Sequence, residues 1–89
     1  MIRKQLIVTN PKGIHARPSG MLHKTAMKYD ATILLANGDI VADCREIMLI
    51  LTLGAIHGDT ITMTVEGPDE EAAAAAIEEI FAMNFHDND

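Results

Sequence analysis

A chain of 89 residues that is 48% hydrophobic and carries a net charge of −6 describes one domain, 1–89, which buries about 60–65% of its unfolded surface. Seven basic and three acidic residues lie up to Arg45, and ten acidic but no basic ones follow. Nucleic acid is therefore excluded as a partner, because backbone binding needs clustered cations and single-strand readers need stacking aromatics.

Only Tyr29, Phe81 and Phe85 are aromatic, so the core is aliphatic and methionine-rich. The segment "QLIVTN" after Arg3 and Lys4 is too short and polar for a secretory leader. The longest apolar run, "IMLIL", is far below a membrane span. Cys44 stands alone and forms neither a disulfide framework nor a CxxC pair. A cytoplasmic protein with no membrane insertion is expected.

"KQLIVT", residues 4–9, is rich in β-branched residues and reads as a strand, closed by the turn "NPKG". A helix starts near Ala16, with Met21, Leu22, Thr25, Ala26 and Tyr29 as its apolar stripe. "ATILLA" is a second strand and "DIVAD" a third, joined by the hairpin signal Asn37–Gly38. "EIMLILTLG" is a short helix closed by Gly54, with a strand as its rival, because periodicity cannot assign a short apolar run. "GDTITMTVEG" alternates Ile61, Met63 and Val65 with threonines, the pattern of a half-buried strand. "PDEEAAAAAIEEIFAMNF" is the clearest helix, with Asp69 as cap and Glu70 and Glu71 at the positive end of its dipole. Its buried face is Ala73, Ala76, Ile77, Ile80 and Phe81. "HDND" is a frayed polar tail. The order βαββαβα describes an α+β open-faced sandwich, with an antiparallel four-stranded sheet carrying three helices on one face.

The chemistry gathers at "NPKGIHARPSG". His15 lies at a strand-to-helix junction. The first amides of a helix have no intrahelical acceptor, and with the dipole they favour an anion. Ala16 and Pro18 belong to this phosphate-supporting start, where a missing proline N–H costs nothing. Arg17 adds a permanent charge able to bond phosphate oxygens. Neutral imidazole is a nucleophile near pH 7. The segment thus reads as a device for accepting and passing on a phosphoryl group, and it requires an exposed imidazole nitrogen. The rival reading is a histidine that merely caps a helix. There is no GxxxxGK[ST] phosphate loop, and no nearby His, Asp or Cys builds a zinc site or a triad. Neither metal nor cofactor is implied.

"GIHARP", residues 13–18, resembles the active-site motif of the histidine-containing phosphocarrier proteins (HPr) of the bacterial phosphoenolpyruvate-dependent sugar phosphotransferase system. "TAMKYDATILL", "ANGDIVADCREIMLILTLG" and "GDTITMTVEGPDEEAAAAAIEEI" resemble the rest of that family, so the likeness covers nearly the whole chain. It implies a phosphoryl group on Nδ1 of His15, support from Arg17, and Pro18 opening the helix. It implies Enzyme I as donor and the A domains of sugar permeases, or regulatory equivalents, as acceptors. It also implies partner docking at Gly20, Lys24, Met27, Ile47, Met48 and Leu51. Where many relatives carry a regulatory serine, this chain has Glu46. That residue lacks the hydroxyl and reads as a helix-start residue more readily than as a phosphoserine mimic. Lys12 replaces a small polar residue and reads as solvated.

Five consecutive apolar residues cannot all be buried in so small a domain. Ile47, Met48 and Leu51 share one exposed face, Ile50 and Leu53 are core, and Leu49 is an additional surface leucine. His23, two turns from His15 on the first helix, reads as a structural residue, with tuning of docking as the rival reading. His57 sits in a turn. His86 with Asp87 and Asp89 belongs to the tail. Cys44 is a packed side chain. A monomer is expected. Two other readings stand beside the sugar carrier: a regulatory paralogue phosphorylated on the same histidine, and a small interaction module without chemistry.

Overall fold

The computed structural model describes residues 1–86. Seven elements follow one another: β1 (Ile2–Ile7), α1 (Ala16–Ala26), β2 (Thr32–Asn37), β3 (Ile40–Asp43), α2 (Ile47–Leu51), β4 (Thr60–Glu66) and α3 (Glu70–Ala82). The strands form one sheet in the order β1-β4-β2-β3, and every neighbouring pair is antiparallel. This is the expected open-faced sandwich.

The alternation along β4 sets the layering. Ile61, Met63 and Val65 are fully buried, while Thr60, Thr62 and Thr64 point to the other face. Register extends the two faces across the sheet. Met63 sits between Lys4 and Leu35, and Leu35 in turn faces Ala42. Ile33, Leu35 and Ala42 thus join the core, which Leu22, Ala26, Ile50, Leu53, Ala73, Ile77 and Phe81 close from the helical side. Helix α3 packs on β1, β4 and β2, α1 on α3, and α2 on β3 and α1. Lys4, on the inner face of the edge strand β1, reaches Glu78 of α3 at 3.0 Å. An inward-pointing charge on an edge strand also discourages pairing with foreign strands.

Several boundaries differ from the sequence reading. β1 spans Ile2–Ile7 rather than 4–9, because β4 runs out of partners at Thr60. Val8 instead bonds Asp59 and Gly58 across the loop. The strand rival for residues 46–54 is excluded: Ile47–Leu51 form α2, which ends on Thr52 rather than on Gly54, and Gly54 turns the following chain in the left-handed region at φ 59°. Asp69 does not cap α3 with its side chain. Its carboxylate accepts the Asp30 amide at 2.7 Å instead, which ties the end of the α1–β2 connection to the start of α3. Glu70 takes up the Met1 ammonium at 3.0 Å, which holds the carboxyl below its ordinary range.

Helix α3 ends at Ala82 rather than running through residue 85. Asn84, Phe85 and His86 form a left-handed turn with φ of 52°, 56° and 58°. Each such residue costs about 1–2 kcal/mol when it carries a Cβ. Burial offsets that cost: Phe85 is fully buried and its ring lies 4.8 Å from that of Phe81. The turn is also held by the Thr9 hydroxyl, which donates to Asn84 Oδ1. His86 is therefore part of an ordered turn and not of a frayed tail, whereas Asp87 and Asp89 lie outside the described residues.

Candidate functional site

After β1 the chain turns sharply over residues 10–14. Asn10 is fully buried. Its carbonyl accepts the Gly13 amide at 3.2 Å, and its side-chain amide donates to the Gly13 carbonyl at 2.6 Å. Gly13 has φ 68°, and a Cβ there would lie 2.4 Å from the Ala55 carbonyl oxygen. The same oxygen accepts the Ile14 amide at 3.0 Å. The loop before the motif is thus pinned to the segment that follows α2, so that the beginning of α1 and the end of α2 meet at one end of the molecule.

His15 is the N-cap of α1, with extended backbone and no side-chain capping bond. Its carbonyl already accepts the Ser19 amide at 2.9 Å. The amides of Ala16 and Arg17 have no acceptor within the helix, and Pro18 has no N–H to leave unsatisfied. The ring is half-buried, and its Nε2 is inaccessible to solvent. The expected exposed nitrogen is therefore not Nε2.

Ala16 and Arg17 are exposed, and Pro18 is buried beneath them. Arg17 Nη2 donates to the His86 carbonyl at 2.8 Å, which brings the left-handed C-terminal turn to the start of α1. Lys12 is exposed. Sequence reading missed two features: the Arg17–His86 link, which spans 69 positions, and Ser19, whose hydroxyl is buried in the first turn of α1.

Helices α1 and α2 also expose apolar side chains. Met27 is 61% and Met48 69% exposed, and Leu49 and Leu51 are both 37% exposed. Gly20 and Ile47 are half-buried against each other, with the Ile47 methyl 3.9 Å from where a Gly20 Cβ would stand. Lys24 is exposed on α1. Ile50 and Leu53 are buried. Glu46 is the N-cap of α2, yet it too makes no side-chain capping bond. Its carbonyl accepts the Leu49 and Ile50 amides, which starts the helix.

His23 has a structural contact. It is half-buried and its Nδ1 lies 3.0 Å from the Cys44 carbonyl oxygen, linking α1 to the strand end before α2. His57 is exposed. Cys44 is fully buried, and burial pushes its thiol up to about 12. Among the described residues no group of three His, Cys, Asp or Glu side chains could hold a metal ion, and no helix is long and apolar enough to cross a membrane.

A family model described as the phosphorylation site of the HPr component of the phosphotransferase system matches residues 2–83. A phosphocarrier protein HPr from Treponema pallidum (strain Nichols) is 36% identical over 87 residues, which cover 98% of this chain and 99% of the relative. A phosphocarrier protein NPr from Klebsiella oxytoca is 31% identical over 88 residues, covering 98% of each. The crystal structure of HPr-C-His from Thermoanaerobacter tengcongensis superimposes with a TM-score of 0.92 at 28% identity, covering 99% of both chains.

Proposed function

The chain belongs to the HPr phosphocarrier family of the phosphotransferase system, and from that premise we propose that it accepts a phosphoryl group on Nδ1 of His15 from phosphorylated Enzyme I. It passes that group to the A domains of sugar permeases, in the cytoplasm and as a monomer.

One observation carries this reading: His15 stands at the N-cap of α1 with Nε2 buried. An incoming phosphorus must then approach the other nitrogen. There the exposed end of the helix offers the Ala16 and Arg17 amides and the dipole to its oxygens. The transfer is an in-line exchange. The bond from phosphorus to the donor breaks as the Nδ1–P bond forms, and the reverse occurs at the acceptor. Such transfer relies on positioning and charge stabilisation. Arg17 leaves the His86 carbonyl to meet the phosphoryl oxygens, exchanging a neutral acceptor for a charged one. The rim of Met27, Met48 and Leu51 supplies an adaptable apolar surface on which successive partners dock, since thioethers repack readily.

The test is to incubate the protein with phosphoenolpyruvate and Enzyme I and to look for acid-labile phosphate. The label appears in the native chain and disappears in His15→Ala. No labelling under conditions where a control carrier is labelled overturns the proposal. The similarity to an NPr favours a second reading, a regulatory carrier using the same histidine. Presenting the phosphorylated protein to sugar-type and nitrogen-type A domains separates the two by which one receives the label.

A further inference from the structure

We propose that His23 is a positioning residue for partner docking: its Nδ1–H donates to the Cys44 carbonyl and so fixes α1 against the root of α2, which sets the spacing of the apolar side chains that meet a partner. The inference rests on the phosphocarrier reading for the identity of that partner, but the bond itself is read without one.

The bond is 3.0 Å long and joins residues 21 positions apart. A carbonyl oxygen only accepts, so the proton of the neutral ring sits on Nδ1. The acceptor is itself held in place. Cys44 is fully buried, and its amide donates to the Ile33 carbonyl at 3.0 Å, one residue past the end of β3. The turn that follows is closed twice by Asp43. Its carbonyl accepts the Glu46 amide at 2.9 Å, and its Oδ1 accepts the Arg45 amide at 2.9 Å. Glu46 is the N-cap of α2. His23 therefore holds a turn that is already tied down, and α2 starts from it.

Helix α2 depends on such a hold. It has five residues and no side-chain cap, and a helix that short is not stable by itself. Ile50 anchors one side of it in the core, and Ile47 meets Gly20 of α1, its methyl 3.9 Å from where a Gly20 Cβ would stand. Both contacts are apolar, and apolar attraction has no direction. The His23 bond adds one, because a hydrogen bond weakens steeply off its axis. Gly20, His23 and Met27 lie three and four positions apart, so they share one side of α1. Met27 follows His23 by one turn and Met48 follows Cys44 by four residues, and both methionines are well exposed. The bond thus joins the two helices where their exposed thioethers are carried. A partner that spans both helices meets a preset surface, and less freedom is lost on binding.

The experiment compares the native chain with His23→Ala, His23→Asn and His23→Gln. Long-range ¹H–¹⁵N correlation spectra at a pH well above the ordinary histidine value of about 6.5 read the His23 tautomer in the unphosphorylated protein, and the expected form is Nδ1–H. Titration with Enzyme I reads affinity, and single-turnover labelling at saturating phosphorylated Enzyme I reads the transfer step. In His23→Ala the affinity falls about three- to tenfold, while the saturated rate stays within about twofold of native. Asparagine places an amide N–H where Nδ1–H stood, so His23→Asn recovers the affinity. Glutamine carries its amide out to the reach of Nε2, so His23→Gln does not. Should His23→Ala unfold, the contrast between the Asn and Gln variants decides in its place. A ring found as Nε2–H, an unchanged affinity in His23→Ala, or equal losses in His23→Asn and His23→Gln overturns the proposal. A native chain that neither binds Enzyme I nor takes label overturns the phosphocarrier reading, and the docking role falls with it, whereas the Nδ1–H tautomer then still verifies the tie between the helices.

Discussion

Gly13 and Ala55 approach so closely that a single added carbon on Gly13 would sit 2.4 Å from the Ala55 carbonyl oxygen and 2.9 Å from the Cα of Ile56. Both obstacles are backbone, so nothing flexible can yield. Gly13→Ala also forces a Cβ onto φ 68°. The expected loss of stability is about 2–4 kcal/mol, read from urea unfolding. Gly38 has a similar φ of 63° with open space around it, so Gly38→Ala costs only the conformational part, about 1–2 kcal/mol. Equal losses in the two variants would remove the packing argument.

Arg17 is exposed and donates through its Nη2 to the His86 carbonyl oxygen. Arg17→Ala slows phosphoryl acceptance by about ten- to a hundredfold, as loss of one charge-stabilising donor does, while the circular dichroism spectrum stays unchanged. Hydrogen exchange at residues 84–86 rises in the same variant, because the turn loses one of its ties. An unaltered rate shows that Arg17 plays no electrostatic part.

Met48 and Ile50 are two residues apart with opposite fates, one 69% exposed and the other fully buried. Met48→Ala changes stability by under about 0.5 kcal/mol, yet weakens the titrated affinity for Enzyme I by about tenfold, as loss of a docking anchor does. Ile50→Ala destabilises the fold by about 2–4 kcal/mol through the cavity it leaves. Unchanged affinity in Met48→Ala places the docking surface elsewhere.

Cys44 gives a pH dependence of known sign. Its thiol is raised from 9.0 to about 12 chiefly by burial, with Asp43 adding to it. Below pH 9 both folded and unfolded chains hold the proton, so the group has no effect. As pH rises from about 9 towards 12, the unfolded chain loses the proton and the folded one keeps it, so stability falls. Denaturation curves between pH 8 and 11 show this decline in the native chain and a shallower one in Cys44→Ala. Native protein at pH 8 resists iodoacetamide, and denatured protein is alkylated.

What the sequence revealed depended on the range of the signal. The alternation of Ile61, Met63 and Val65 with threonines is a local pattern of period two, and it identifies β4 and its buried face without help. His15, Arg17 and Pro18 fall within four consecutive residues, so their place at a helix start is equally local. "IMLIL" is apolar throughout and has no period, so its helical state waited on the burial of Ile50 against the α1 side. Asp69 has the chemistry of a cap, but a tertiary partner, the Asp30 amide, outcompetes its own helix end. The left-handed run at Asn84, Phe85 and His86 has no glycine to announce it. It exists because Phe85 finds Phe81, which no composition window records.

Strand β4 lies between β1 and β2 in the sheet, although it follows both in the chain. A nascent polypeptide that ends before Thr60 therefore holds β1 and β2 with a gap between them and only the β2–β3 hairpin paired. Three-quarters of the polypeptide must leave the ribosome before the sheet can close. Folding during synthesis is then a late, nearly all-or-none event, and the loop before α1, fastened to Ala55 at the threshold of the missing strand, is set in place with it.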